Sequence, residues 1–270
     1  MKPINITLLR ARFDGYQRAH LKKMRNNMKQ KKSKFQKSDQ KFQNLRKKLS
    51  NTFVDHDFYE VVDQFPLFAG LHTIGNKLFT YELIKSTLDI PGHIVEFGCW
   101  KGSNLVYMAK LLELMVPHSS KKVFGFDNFT GLPKPTEVDG KFAEKSTGKY
   151  SGDKDKLLAC IEAFELDGNI ELIIGDATET IPNFVSQNKE FLVSFAYLDF
   201  DLYEGTAAAL ELLEDCLSIG GIIAFDEALD TRWPGETLAL KEFLKNSKNQ
   251  YKPMMNKLSR QPTFALQRVS

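Results

Sequence analysis

No run of about 18 apolar residues occurs in this chain, so the sequence offers no membrane-spanning helix. The opening stretch, MKPINITLLRARFDGYQ, lacks a continuous apolar core followed by a small-residue cleavage site, which argues against a secretory signal. Cysteine is scarce. Cys99, Cys160 and Cys216 are odd in number and far apart, and they give neither a disulfide framework nor a CxxC metal site. They fit a reducing compartment, and the expectation is a cytoplasmic protein, with peripheral attachment to a membrane left open. The five histidines (His20, His56, His72, His93, His118) show neither triad nor ligand spacing and read as structural or surface groups. The absence of a His/Cys cluster argues against structural zinc.

What the chain does have is unevenly distributed. Residues 1–50 carry 16 Lys/Arg against two acids, Asp14 and Asp39, whereas the remaining residues have a net charge of −11. Such asymmetry predicts two regions, a basic arm over 1–52 and a globular domain over 53–270. Within the arm, Leu21, Met24 and Met28 have helical spacing, and Phe35, Phe42 and Leu49 fall seven apart. A sparse amphipathic helix, a short coiled coil and a solvated arm all fit that pattern. Basic arms bind nucleic acid, anionic lipid or acidic partners, and charge alone does not choose among them.

From Phe53 onward, apolar strands alternate with amphipathic helices. Strands are expected at His93–Phe97, Lys122–Phe126, Ile170–Ile174, Phe191–Leu198 and Gly221–Phe225, followed by a closing pair at Tyr251–Leu258 and Thr263–Val269. Helices are expected at Tyr81–Leu88, Asn104–Met115, Asp153–Phe164, Ile181–Gln187, Tyr203–Leu217 and Glu236–Lys245. This order implies an α/β fold, a doubly wound and mostly parallel sheet with a C-terminal antiparallel pair. Ligands of such sheets bind outside the C-terminal strand ends.

The first strand runs into Glu96-Phe97-Gly98-Cys99-Trp100-Lys101-Gly102-Ser103, the pattern E-x-G-x-x-x-G rather than the G-x-G-x-x-G of dinucleotide folds. Gly98 permits a tight turn, and Gly102 is expected to let a ligand approach the backbone at the helix entry. The looser turn suits a ligand with an amino-acid tail and a nucleoside, as in S-adenosylmethionine. Asp127, at the tip of the second strand, is placed to accept hydrogen bonds from ribose hydroxyls. Asp176-Ala177, at the third, would sit by an adenine amino group. Asp127 could instead be a helix or turn cap, since Asp is common at such positions.

The fourth and fifth strands end in carboxylates. Asp199 and Asp201 lie two apart, so in an extended chain they share a side. Asp226 and Glu227 follow the neighbouring strand. Clustered carboxylates repel unless protons or a cation neutralise them, and hard oxygen donors suit Mg²⁺ or another divalent cation. Asp201 could instead cap the helix that begins at Tyr203.

The ordered set VEFGCWKGSN (95–104), FGFDNFTGLP (124–133), YLDFDLYEGT (197–206) and GGIIAFDE (220–227) resembles the macrocin O-methyltransferase (TylF/MycF-type) family of sugar methyltransferases. The resemblance implies a class I methyltransferase-like (Rossmann-like) fold, S-adenosylmethionine as methyl donor and a divalent metal, usually Mg²⁺. Carried over by position, Asp199, Asp226 and Glu227 would be metal ligands and Asp201 the general base. Two departures stand out: Glu227 replaces the second acid of an Asp-Asp pair, and Phe200 and Gly205 stand where Gly and Ser are commoner.

The expected function is therefore transfer of a methyl group to a hydroxyl of a sugar, whether nucleotide sugar, glycoside or glycan. The composition of Lys134–Ser151 suggests a lid, and Arg232-Trp233-Pro234-Gly235 is expected to line the acceptor site. A metal-dependent catechol-type O-methyltransferase, a cofactor-binding domain without catalysis and a nucleic-acid-binding protein using the basic arm are the alternatives. No specific nucleic acid is expected, and a homo-oligomer is compatible with the sequence.

Overall fold

The structure, a computed structural model, describes residues 58–270, with side chains from Val61 onward. The basic arm over 1–52, its helical spacing and the boundary at Phe53 lie outside the described residues. The chain divides into two compact units, residues 1–73 and 74–270. In the first, the described elements are two short helices, α1 (Phe58–Asp63) and α2 (Phe65–Phe68), and the start of α3 (Leu71–Lys85). Among the described residues no helix is long and apolar enough to cross a membrane.

The second unit is built on a seven-stranded sheet of β1 (His93–Phe97), β2 (Val123–Asp127), β3 (Ile170–Ile174), β4 (Val193–Leu198), β5 (Leu217–Phe225), β6 (Tyr251–Met255) and β7 (Phe264–Arg268). The order is β3-β2-β1-β4-β5-β7-β6. The first five strands are mutually parallel and β7 runs antiparallel to β5 and β6, so the doubly wound sheet with a closing antiparallel pair is borne out. Pro253 lies in the edge strand β6, where a missing N–H costs no ladder bond.

The connecting helices are α4 (Ser103–Met115), α5 (Gly140–Glu144), α6 (Lys154–Ala163), α7 (Ala177–Gln187), α8 (Tyr203–Cys216) and α9 (Pro234–Asn246). Strand alternation sends side chains to two faces. Ile94, Val123, Phe195, Tyr197, Ile222 and Ala224 join a core with Leu83 of α3, Leu105 and Met108 of α4 and Leu157 of α6. On β2, Phe124 and Phe126 point the other way, edge-on to Phe184 of α7.

The register aligns the strand ends. Phe126, Phe97, Leu198, Phe225 and Phe264 are consecutive cross-strand partners, all fully buried. Phe97 stacks on Phe126 at 5.2 Å and Phe225 on Phe264 at 5.3 Å. Such pairs add about 0.5–1.5 kcal/mol beyond burial. The next residue beyond this apolar row on the four parallel strands is Asp127, Gly98, Asp199 and Asp226. One step of the chain thus separates a dry aromatic floor from a polar rim.

Several boundaries differ from the sequence reading. Helix α3 begins ten residues before Tyr81, since Gly75 does not break it: a Cβ there would meet the Leu258 carbonyl at 2.8 Å, so the glycine admits a close approach. Helix α7 begins at Ala177 rather than Ile181, because Asp176 caps it, its Oδ1 accepting the Thr178 N–H at 2.9 Å. Pro182 lies inside it. The closing strands are shorter than expected, and residues 256–263 form a loop between them.

Candidate active site at the carboxyl ends of the strands

One cavity of about 500 Å³ opens at this rim. It brings together Glu96, Gly98, Ser103, Asp127, Asp176 and Ala177 from the first three strand ends with Asp199, Asp201, Asp226 and Glu227 from the next two. Gly102 is the exception. It has φ +77°, and the Leu157 side chain of α6 fills the space a Cβ would take, at 2.2 Å. On that side Gly102 serves helix packing.

The glycine turn is held by Asp127. Its Oδ2 accepts the backbone N–H of Cys99 and of Trp100, both at 2.7 Å, and its Oδ1 accepts the Phe129 N–H at 2.6 Å. Most of this carboxylate's acceptor capacity thus goes to backbone, leaving less for ribose hydroxyls than the sequence suggested. Gly98, at φ +88°, is forced by position, since a Cβ would lie 2.2 Å from the Asp199 carbonyl.

Glu96 sits behind the turn and is almost fully buried. Its Oε1 accepts from Asn104 Nδ2 at 2.9 Å, and Asn104 Oδ1 in turn accepts from Lys77 Nζ at 2.9 Å. Glu96 Oε2 has no hydrogen-bond partner. Burial pushes the Glu96 carboxyl up to about 8, against the Asn104 bond and the Lys77 charge. Burial lowers the Lys77 ammonium. Asn76 and Lys77 line the cavity and were missed from sequence, because the helix carrying them was placed further along.

On the other side lie the carboxylates. The chain is not extended at Asp201, which has φ +63°, an uncommon conformation for a non-glycine residue. The same-side argument for Asp199 and Asp201 therefore fails, though both reach the cavity. Nor does Asp201 cap α8. That role belongs to Asp139, whose Oδ1 accepts the Tyr203 N–H at 2.7 Å. Burial and the neighbouring Asp226 push Asp201 up to about 8, with Arg232 opposing. Burial and the charges of Asp226, Asp201 and Asp230 push Glu227 up to about 9. Burial, then Asp226, Asp201 and Glu236, carries Asp199 well above the carboxylate range. Asp226 is raised chiefly by burial, opposed by the Tyr197 hydroxyl, which donates to its Oδ1 at 2.5 Å.

Two orphaned groups accompany the set. Glu227 Oε2 makes no hydrogen bond, Arg232 Nη2 lying 3.8 Å away. Glu236, in the first turn of α9, is fully buried, and neither of its oxygens has a hydrogen-bond partner. Among the described residues, no three His, Cys, Asp or Glu side chains converge closely enough to hold a metal ion. The donors nonetheless fit a hard divalent cation chemically: all are oxygens, they repel one another, and buried oxygens lack partners.

The segment expected as a lid is folded and lines the cavity. Its base is closed by Leu132 N–H to the Lys149 carbonyl at 2.8 Å and Gly148 N–H to the Leu132 carbonyl at 2.9 Å. It contains a 3-10 turn at Glu137–Asp139 and helix α5. Phe142 meets Trp233 edge-on at 5.1 Å. Lys134, Phe142, Tyr150, Arg232 and Trp233 line the cavity, and Pro234-Gly235 open α9 beside them. Trp100 and Tyr150 meet edge-on at 5.9 Å in the same cavity wall. Phe200 and Gly205 form a matched pair: a Cβ on Gly205 would lie 3.1 Å from the Phe200 ring.

Comparison with known proteins shows the family and the fold. A solved structure described as CalS11, a calicheamicin methyltransferase, superposes with a TM-score of 0.70 at 30% identity, covering 84% of this chain and 91% of that one. An apo structure of CalS11, described as a TDP-rhamnose 3'-O-methyltransferase, gives 0.65 at 30% identity, with coverage of 84% and 93%. The O-methyltransferase NovP, at 19% identity and a TM-score of 0.63 over 73% of this chain and 81% of that one, shares the fold. Among characterised sequences, a Streptomyces olivaceus 8-demethyl-8-(2,3-dimethoxy-alpha-L-rhamnosyl)-tetracenomycin-C 4'-O-methyltransferase is 27% identical over 165 residues, 59% of this chain. That match spans 61% of the relative's own length. The profile of the macrocin-O-methyltransferase (TylF) family matches residues 6–260. The chain belongs to the macrocin-O-methyltransferase (TylF) family.

Proposed function

We propose that this chain is an S-adenosylmethionine-dependent O-methyltransferase that methylates a hydroxyl of a rhamnose-type sugar with the help of a divalent cation, most simply Mg²⁺. The observation that carries this reading is one cavity joining the Glu96–glycine turn to the raised carboxylates Asp199, Asp201, Asp226 and Glu227. The sugar is suggested by the relatives named for rhamnose and rhamnosyl substrates.

In this reading Glu96, Gly98 and Ser103 hold the amino-acid end of the methyl donor, Glu96 through its unpartnered Oε2. Asp127, by shaping the turn, and Asp176-Ala177 serve the nucleoside end. Asp199, Asp226 and Glu227 would hold the cation. Bound there, the donor supplies an electrophilic methyl group and the cation makes the acceptor hydroxyl more acidic. Asp201, in its ionised form, takes the hydroxyl proton, and its raised value, about 8, means that this form grows in as pH rises towards 8. Phe142, Tyr150 and Trp233 keep water from the acceptor and orient it, and positioning of this kind supplies much of the rate.

Calorimetric titration of metal-stripped protein with S-adenosylmethionine, then with Mg²⁺ and nucleotide sugars, tests the reading. Binding of the donor, and cation-dependent sugar binding weakened by Asp199→Ala, is the expected result. Folded protein that does not bind S-adenosylmethionine would overturn it.

A further inference from the structure

The loop between β6 and β7 contributes to the acidic rim although no motif marks it. Gln261 Nε2 donates to Asp226 Oδ2 at 2.6 Å and to Glu227 Oε1 at 2.5 Å. A carboxamide nitrogen has two N–H donors, so one side chain can donate to both carboxylates at once. The Gln261 side chain is thus a neutral group bridging the two neighbouring acids of the rim.

Its aim is set by a dense frame. The Gln261 carbonyl accepts from Asn76 Nδ2 and Asn256 Nδ2, each at 3.3 Å, and from the Ser259 hydroxyl. Asn256 is fully buried, and its Oδ1 accepts the Leu258 and Ser259 N–H groups at 2.9 and 3.1 Å. Asn76 Nδ2 also reaches the Tyr197 hydroxyl at 3.3 Å, and that hydroxyl donates to Asp226. The bonds close a ring running Asn76, Tyr197, Asp226, Gln261 and back to Asn76. Three elements far apart in sequence, α3, β4 and the closing loop, converge on one carboxylate pair.

We propose that Gln261 is a positioning residue for the proposed cation site, orienting Asp226 and Glu227 through its two amide hydrogens while Tyr197, itself held by Asn76, fixes Asp226 from the other side. The inference rests on the cation reading above. Each carboxylate oxygen keeps a second lone pair after accepting from the amide, so the bridge and a cation are compatible. Hydrogen bonds to ligating carboxylates fix their orientation, and losing one typically weakens metal binding about 10–100-fold. The bridge also offsets repulsion between the acids in the cation-free protein, so it contributes in both states.

The test is Mn²⁺ binding, followed by calorimetry and by the electron paramagnetic signal of free Mn²⁺, in full-length wild type, Gln261→Met and Gln261→Ala. Gln261→Met keeps the volume and removes the donors. S-adenosylmethionine affinity, measured in parallel, reports whether the cavity is intact. Both variants are expected to bind the methyl donor like wild type and Mn²⁺ about 10–100-fold more weakly. Unchanged Mn²⁺ affinity in Gln261→Met with donor binding retained would overturn the positioning role and leave the cation reading standing. Wild type that binds S-adenosylmethionine but no Mn²⁺ would overturn both the cation reading and this inference.

Discussion

The Asp139 carboxylate caps helix α8 from 64 residues away, its Oδ1 accepting the Tyr203 N–H at 2.7 Å. Its Oδ2 accepts from the Thr136 N–H at 2.7 Å and the Thr136 hydroxyl at 2.8 Å. One buried side chain therefore ties the segment between β2 and α6 to the helix that follows Asp201. Gly235 completes the joint, since a Cβ there would lie 1.9 Å from Asp139 Oδ1. Asp139→Ala leaves a helix end uncapped and a buried donor unsatisfied, at a cost of about 1–3 kcal/mol. We expect denaturant unfolding to show that loss and the acceptor KM to rise, with S-adenosylmethionine affinity nearly unchanged.

The Phe200–Gly205 pair predicts non-additive mutations. Gly205→Ser pushes a side chain into the Phe200 ring, and overpacking of this kind costs roughly 1–3 kcal/mol. In a Phe200→Ala background the same change finds room. A double-mutant cycle followed by thermal unfolding should therefore give a coupling of roughly 1 kcal/mol or more. Additive effects would show that the ring moves aside freely.

Glu96 makes stability depend on pH in a stated direction. Its folded value, about 8, lies above the ordinary 4.5. The folded state therefore binds the proton more tightly than the unfolded state. Stability from this group is highest below about 4.5 and falls as pH rises towards 8. Metal-free wild type should lose melting temperature across that window relative to Glu96→Gln, which cannot ionise. The same variant should bind S-adenosylmethionine more weakly, because a neutral amide replaces the carboxylate proposed to meet its amino group.

Cation binding should release protons. Asp199 and Asp226 are raised by burial, and Glu227 is raised to about 9, so at pH 7 Glu227 in the empty site holds a proton that a cation must displace. Mg²⁺ titrations in buffers of different ionisation enthalpy should show net proton release at pH 7, diminishing as pH rises above 9. Affinity should strengthen with pH over the same range.

Much of the architecture was readable because the strands are short apolar runs that end in glycine or acid. His93–Phe97 and Ile170–Ile174 lie where their composition puts them. The acids at the strand ends announced themselves for the same reason, since Asp127, Asp199 and Asp226 each follow an apolar run directly. Conformation and long-range capping were less legible. Nothing in DFDLY shows that Asp201 turns left-handed or that Asp139, not Asp201, caps the next helix. That Leu157 of α6 fills the space beside Gly102 was not legible, because it depends on a helix distant in sequence. Asn76, Lys77 and Gln261 carried no signal at all, because their roles depend on how α3 and the β6–β7 loop pack against β4 and β5.

The most direct test of the central claim is transfer of a trideuteromethyl group from labelled S-adenosylmethionine to a panel of nucleotide-linked and aglycone-linked rhamnose-type sugars, read by mass spectrometry. The account predicts one trideuteromethyl group on one sugar hydroxyl, lost on chelation, restored by Mg²⁺ and strongly reduced in Asp201→Asn. Transfer that survives both chelation and Asp201→Asn would contradict the cation and base roles, and donor binding without transfer to any sugar would contradict the acceptor.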